Sequence, residues 1–186
     1  LYSDHNEAAL ARVIAHCRTA GTAKLGIQLA HAGRKASSQR PWEGGGPLPP
    51  RQDPWETIAP SPLPFGPNWH TPRVATLDDI VRVREAFVNS ARRAVRIGFD
   101  AVELHYAHAY TMSSFLSRTN PRTDEFGGPS IENRVRLPLR VIDACRREVG
   151  ADFMLGLRYL SSEELDGGST LDDACHFAAA FARAGV

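Results

Sequence analysis

The sequence is poor in cysteine and carries almost no net charge. Its three cysteines, Cys17, Cys145 and Cys175, lie far apart and form no C-x-x-C pair, so neither a disulfide framework nor a cysteine metal site is predicted. The 22 Lys and Arg residues balance 21 Asp and Glu residues, which leaves no overall field to attract nucleic acid or an anionic membrane. We therefore expect a cytoplasmic protein that binds neither nucleic acid nor membranes.

Long apolar runs are also missing. No stretch approaches the roughly 18 residues that a membrane span requires, and residues 1–7 lack the basic and apolar regions of a signal peptide. The chain has no initiator Met, so we expect it to be part of a longer protein. Its 186 residues, 42% of them apolar, are enough to bury a real core.

Helical and strand-like patterns alternate along the chain. In chain order they predict helix 4–19, strand 24–30, helix 77–97, strand 99–105, helix 131–149, strand 153–158 and helix 171–184. This alternation is typical of a parallel sheet covered by helices. Long loops follow the strands, whereas the connections from helix to strand are short.

Two of these loops are long. The first, residues 31–76, holds ten of the 13 prolines within residues 41–72 and cannot sustain a helix or a central strand. We expect its aromatic side chains to pin it against the rest of the domain: Trp42, Trp55, Phe65 and Trp69. The second is a polar, Gly-containing loop that runs from the strand end at His105 to about Ser130.

Alternate residues on the three main strands differ in character. One side of each strand is apolar and is expected to face helices. The other side carries mostly small residues early in the strand and a polar residue at its C-terminal end. The polar strand ends are Gln28, His105 and Arg158. We predict an α/β fold, a (β/α)₈ TIM barrel present only in part, with about three of eight βα units and residues 1–186 forming its central part. A doubly wound sheet is the alternative, but its G-x-G-x-x-G turn is absent.

His105 and His108 stand three residues apart at the end of the second predicted strand. Two imidazole N–H groups there would hold an oxygen that gains negative charge during a reaction. The same spacing also suits a zinc site of a metal-dependent hydrolase, with Glu103 or His31 as third ligand. The spacing leaves both readings open. Tyr110 offers a phenol that can donate a proton into either site.

Gln28 and Arg158 carry complementary groups at the other two strand ends. The Gln28 amide offers both a donor and an acceptor to a heteroaromatic ring edge such as a flavin. Arg158 is a fixed positive charge suited to a phosphate, a carboxylate or the N1/O2 edge of a reduced flavin. Arg34 and Lys35, on the first long loop, lie near the same mouth and suit a nicotinamide phosphate or a substrate.

Several motifs occur together in one order: QLAHAGRKAS at 28–37, PWEGG at 41–45, APSPLPF at 59–65 and the long segment 98–137. In these motifs the chain resembles the old yellow enzyme family, in its bacterial, xenobiotic-reductase-like branch of FMN-dependent ene reductases. The resemblance favours a substrate-binding role for the two histidines over a metal site, with no metal required.

The resemblance implies a role for each candidate residue. Gln28 and Arg158 match residues that bind FMN, His105 and His108 match the pair that grips a carbonyl or nitro oxygen, and Tyr110 matches the proton donor. NADPH or NADH would reduce the flavin, which would then transfer hydride to an activated alkene such as an enone. A 2,4-dienoyl-CoA-type reductase is the alternative within the family.

The chain also departs from the family pattern. Ala109 stands where the family has a glycine, and it would strain the turn before Tyr110 if that position takes a positive φ. We expect Arg122 and Asp124 to tie the second loop down. The FMN phosphate site of such barrels comes from the loops after strands seven and eight, so we expect this chain alone to be inactive. We expect its full-length parent to be a homo-oligomer. A non-catalytic fragment that only associates with other chains is a further alternative.

Overall fold

The computed structural model of the protein describes residues 1–186. The helices and strands are, in chain order, α1 Asp4–Ala20, β1 Gly26–Leu29, β2 Ile58–Ala59, β3 Arg73–Val74, α2 Leu77–Arg96, β4 Ala101–Tyr106, α3 Thr111–Leu116, α4 Ile131–Val149, β5 Met154–Tyr159 and α5 Leu171–Arg183. None of the helices combines the length and the apolar character that crossing a membrane requires. All three cysteines are free.

The main sheet has three parallel strands, with β4 between β1 and β5. Its predicted two-sided character is confirmed. On one side Val102 and Leu104 of β4 are 1% and 0% exposed, whereas on the other side Gln28, Met154 and Arg158 are exposed. Only the first side is therefore covered by helices.

Four helices begin where a hydroxyl side chain accepts a backbone N–H three residues ahead, at Ser3, Thr76, Ser130 and Thr170. Such caps satisfy donors that a helix end leaves without partners. In α2 and α5 an aspartate completes a reciprocal capping box. These local signals explain why the predicted ends of the four long helices lie within one residue of the observed ones.

The core lies between the sheet and helices α2 and α4. Helix α2 contributes Ile80, Val83 and Phe87, and all three are buried. The fully buried Tyr106 at the end of β4 donates its hydroxyl to the carbonyl oxygen of Pro138 in α4, at 3.0 Å. This bond fixes α4 at the end of the sheet where the long loops begin.

The loop 31–76 forms three single 3₁₀ turns and the short parallel pair β2 and β3, without a long helix or a central strand. The expectation that its tryptophans pin it is wrong for Trp42 and Trp55, which are 79% and 57% exposed. Its backbone pairing and small buried side chains such as Ala59 hold it instead, so it needs no large anchor. Phe65 and Trp69 pack edge to face, with ring centroids 5.0 Å apart.

The prediction of an unbroken loop from His105 to Ser130 is also wrong, because α3 lies within it. All six residues of α3 are buried, including Met112 and Phe115 at 1% exposure. Its Thr and Ser residues have low intrinsic helix propensity, so packing against α4 stabilises this helix. The predicted bond between Arg122 and Asp124 is confirmed, and Arg122 also donates to the Ala75 carbonyl oxygen at 2.6 Å.

We predict that Asp79→Asn lowers the free energy of unfolding by about 2 kcal/mol, because it removes the charge from a buried hydrogen-bonded carboxylate. Asp79 is 1% exposed and accepts bonds from Thr76, Arg82 and Arg73, and Arg73 holds the pKa of this carboxyl well below its usual range. Chemical denaturation measures the change. The exposed neighbour Asp78→Asn makes the same charge change and should shift stability by less than about 0.5 kcal/mol. Equal effects of the two variants would contradict this account of Asp79.

Candidate functional site

The polar strand ends meet on the uncovered side of the sheet. Parallel register places Gln28 opposite Glu103, and His105 opposite Arg158. The Gln28 side-chain amide nitrogen donates to the Glu103 carboxylate, which leaves the Gln28 amide oxygen without a partner. Arg158 is exposed and forms neither an ion pair nor a side-chain hydrogen bond. The C-terminal ends of the strands therefore offer one free hydrogen-bond acceptor, the Gln28 amide oxygen, and one unpaired cation, Arg158.

His105 and His108 lie face to face beside these strand ends. Nδ1 of His108 is 2.9 Å from Nε2 of His105, and the two rings stack with centroids 4.9 Å apart. The His105 residue is only 3% exposed, and its other ring nitrogen, Nδ1, is buried with no hydrogen-bond partner. The two facing nitrogens share one hydrogen bond in this structure, and an oxygen that reached both of them would replace it.

Burial lowers the pKa of His105, and the nearby His108 and Arg158 lower it further, against a smaller opposing effect of Glu103. The ring is therefore neutral near pH 7 and carries one N–H. The tautomer protonated at Nε2 directs that hydrogen towards His108 and leaves Nδ1 as the unpaired atom. His105 can thus act as a hydrogen-bond donor without bringing a positive charge into a buried position.

Tyr110 completes the group. Its ring centroid lies 5.2 Å from that of His105 and 6.3 Å from that of His108. The Lys35 ammonium lies 5.8 Å from the Tyr110 ring and 4.7 Å from the Phe65 ring, so the long loop 31–76 reaches the site. The structure thus brings His105, His108 and Tyr110 together, with Arg158 paired to the strand position of His105 and Gln28 on the neighbouring strand.

The turn between the histidines and α3 has an unusual backbone. His108 and Ala109 both have positive φ, at 61° and 57°, in the left-handed region that costs a non-glycine residue about 1–3 kcal/mol. Ser114 Oγ donates to the Ala109 carbonyl oxygen and Ser113 Oγ to the Ala107 carbonyl oxygen, both at 3.1 Å. The expectation of strain at Ala109 is confirmed, and hydroxyl groups of α3 hold the strained turn in place.

The geometry does not support the metal-site reading. No group of three or more His, Cys, Asp or Glu side chains is placed to hold a metal ion. Glu103 bonds to Gln28, and His31 lies with Nδ1 2.6 Å from Thr111 Oγ1. Each proposed third ligand therefore already has a different partner.

Sequence reasoning missed the groups that support these side chains. The bonds from Ser113 and Ser114 join residues only five or six positions apart, but they form only once α3 exists. The contact between His31 and Thr111 joins residues 80 positions apart, so no local pattern indicates it. A Ser-Ser pair after a His-rich turn was the one signal available, and it is weak.

The whole chain, residues 1–186, matches the model of the NADH:flavin oxidoreductase / NADH oxidase family. It is 42% identical over 165 residues to an NADPH dehydrogenase of Geobacillus sp. strain WCH70, covering 88% of this chain and 43% of that protein. Among solved structures it is similar to the Old Yellow Enzyme from Pichia sp. AKU4542, with 31% identity, a TM-score of 0.75 and coverage of 98% of this chain and 47% of the other. A complex of 2-naphthoyl-CoA reductase with 2-naphthoyl-CoA is also similar, with 27% identity, a TM-score of 0.83 and coverage of 98% and 28%. The chain spans 24% to 47% of the length of eight curated relatives that it matches.

We predict that Ala109→Gly raises the free energy of unfolding by about 1 kcal/mol, because glycine takes a positive φ without the steric cost that alanine bears. Thermal or chemical denaturation measures the effect. Ala23→Gly is a suitable control, since Ala23 is exposed, lies outside the helices and strands and has no positive φ. That control should lose about 0.5 kcal/mol through greater freedom of the unfolded chain. If Ala109→Gly also lost stability, the turn would not be strained at this residue.

Proposed function

The chain belongs to the NADH:flavin oxidoreductase / NADH oxidase family, as its resemblance to old yellow enzymes indicated, and we propose that it forms the substrate-binding part of an FMN-dependent reductase of activated alkenes. The electrons would come from NADPH or NADH. The observation that carries the proposal is the convergence of His105 Nε2 and His108 Nδ1, 2.9 Å apart, beside Tyr110.

We propose that residues 1–186 are the central part of one (β/α)₈ barrel, with three of its eight βα units and residues 31–76 as a long βα-loop. Two features support this. Strands β1 and β5 each have one edge without a partner strand, and Met154, on the uncovered side of the sheet, is 69% exposed. Two unpaired lateral edges, together with an exposed apolar side chain on the face away from the helices, fit a sheet that continues and closes.

The groups on the uncovered side suit a flavin ring. The free amide oxygen of Gln28 can accept a hydrogen bond from a ring N–H, and the unpaired Arg158 can lie beside ring atoms that gain negative charge. Two residues before Arg158 on β5, a Cβ added at Gly156 would meet no atom within 4 Å, so this face is open enough for a flat ring. When bound, FMN supplies the hydride chemistry, accepting hydride from NAD(P)H and passing it to the β-carbon of the alkene.

The two histidines bind the substrate oxygen in this proposal. A bound carbonyl or nitro oxygen replaces the hydrogen bond between the two rings, lies within reach of both nitrogens, and accepts one N–H from His105 Nε2 and one from the His108 tautomer protonated at Nδ1. Hydride addition to the conjugated alkene moves negative charge onto that oxygen, and the two N–H groups then bind it more strongly than in the starting state. Burial of His105 excludes water and increases this stabilisation.

Tyr110 supplies the proton in this proposal. Its phenol O–H gives its hydrogen to the α-carbon as the new C–H bond forms, and the resulting phenolate regains a proton from solvent. Tyr110 is partly exposed, so water can reach it. The overall change is the addition of one hydride and one proton across the carbon–carbon double bond.

A second candidate substrate class is an unsaturated acyl-CoA thioester, as in a 2,4-dienoyl-CoA-type reductase. The similarity to 2-naphthoyl-CoA reductase in complex with 2-naphthoyl-CoA supports it. The thioester carbonyl oxygen would bind to the same two ring nitrogens. A comparison of kcat/KM for cyclohexenone and for a 2,4-dienoyl-CoA, in the complete enzyme, separates the two classes.

We predict that His105→Ala and His108→Ala, each in the complete FMN-loaded enzyme, slow alkene reduction by about 100-fold. Each should also weaken the binding of added phenol, a small ligand whose oxygen can bind to the same two histidines. Reduction of the flavin by NADPH should change much less, because that step generates no oxyanion. Stopped-flow absorbance follows each half-reaction separately, and calorimetry measures the phenol Kd. His16→Ala, at an exposed position of α1, is the control. Equal losses in both half-reactions would count against the oxyanion role.

We predict that Tyr110→Phe slows only the half-reaction that consumes the alkene, by about 10- to 100-fold, because the proton donor is lost while the oxygen-binding pair remains. Phenol affinity and flavin reduction by NADPH should stay near the parent values. Tyr2→Phe, at a residue that is 85% exposed, makes the same chemical change outside the group of His105, His108 and Tyr110. An unchanged rate of alkene reduction would remove Tyr110 from the mechanism.

A further inference from the structure

His31 reaches the site from the loop that follows β1. Its backbone carbonyl oxygen accepts the Thr111 N–H at 3.1 Å, and its ring Nδ1 lies 2.6 Å from Thr111 Oγ1. Thr111 is the first residue of α3 and directly follows Tyr110. One residue of the β1 loop therefore binds both the backbone and the side chain at the start of α3.

This contact replaces a missing helix cap. Tyr110 occupies the N-cap position of α3 and provides no side-chain hydrogen bond to it. The first N–H groups of a helix have no partner inside the helix, and His31 satisfies that of Thr111. Gly33 then packs so closely on Thr111 that an added Cβ would lie 2.6 Å from Thr111 Oγ1. The β1 loop is thus fitted closely against the start of α3.

The neighbouring turn gives this contact its importance. His108 and Ala109 hold left-handed conformations that they would leave at little cost if the turn were free to relax. The Ser113 and Ser114 hydroxyls hold it from within α3. His31 is the restraint that comes from another strand and loop, so it fixes α3, and with it Tyr110, relative to the sheet that carries His105.

We propose that His31 is a positioning residue, which acts through Thr111 to hold Tyr110 and His108 in register with His105 without touching the substrate. This inference rests on the proposed function. Burial lowers the pKa of His31, so its ring is neutral near pH 7. The hydrogen bond between its Nδ1 and the Thr111 hydroxyl therefore joins two uncharged groups. The role is positional, and a variant that keeps the bond should keep the function.

Three single variants and one double variant of the complete FMN-loaded enzyme test the proposal. His31→Leu and Thr111→Val each remove the side-chain bond, whereas His31→Asn places an amide near the position of Nδ1 and keeps a hydrogen-bonding group there. We expect His31→Leu and Thr111→Val to slow alkene reduction by about tenfold and to leave NADPH-driven flavin reduction within about twofold, since a small misplacement of reacting groups is costly. His31→Asn should recover most of the rate. The double variant should be no slower than either single one, because both remove the same bond.

The controls separate a positioning role from a purely structural one. His16→Leu removes an exposed histidine of α1 and should change neither half-reaction. If His31→Leu and Thr111→Val lower only the free energy of unfolding, with both half-reactions unchanged, the proposal is wrong. Failure of His31→Asn to recover the rate would also overturn it. Should His31→Leu not fold, Thr111→Val carries the same test.

The same data distinguish this inference from the proposed function. If His105→Ala and His108→Ala weaken phenol binding while His31→Leu and Thr111→Val leave alkene reduction unchanged, the proposed function stands and the positioning role fails. If His105→Ala and His108→Ala leave phenol binding and alkene reduction unchanged, the oxygen-binding site itself is wrong, and the positioning role falls with it.

Discussion

The parallel pairing of β4 with both of its neighbours determines where the candidate side chains at the strand ends lie. The C-terminal ends of parallel strands lie at the same end of the sheet, so the polar residues of β1, β4 and β5 meet there. Register is fixed by the opposite face, because a slip of one residue would expose Val102 and Leu104 and bury Glu103. Burial of the apolar face of the sheet against α2 and α4 thus sets the register that pairs His105 with Arg158 on the opposite face.

The remaining chemistry depends on a segment that is costly to form. The turn through His108 and Ala109 brings a second imidazole and a phenol back over the strand end, and this requires two consecutive left-handed residues. The fully buried α3 offsets that cost, since its packing against α4 holds Ser113 and Ser114 where their hydroxyls bind the turn. The helix therefore has a role beyond filling space, because it maintains the backbone conformation that brings His108 and Tyr110 to His105.

Much of this arrangement is predictable from the sequence, for definite physical reasons. Strand residues alternate between faces, so the shared face of Gln28, His105 and Arg158 follows from their positions, and capping residues mark the helix ends. The helix α3 was not predictable, because Thr-Met-Ser-Ser favours a helix only once it is buried. The bond between Gln28 and Glu103 depends on register between strands 75 residues apart. Contacts of that kind are products of the fold and leave no local pattern.

The electrostatic character of the site distinguishes between the chemistries that two histidines can support. A metal site would place carboxylates or further imidazoles around the pair, yet the one carboxylate at these strand ends, that of Glu103, bonds to Gln28. The nearby charges are positive instead: Arg158 pairs with His105 in the sheet and Lys35 lies over the Tyr110 ring, and neither has an acidic partner. A neutral buried His105, with the unpaired Arg158 on the neighbouring strand, can stabilise negative charge that develops in a reacting state. Hydride addition to an alkene conjugated with a carbonyl produces such a charge on oxygen, so the charges around the site favour reduction over metal-assisted hydrolysis.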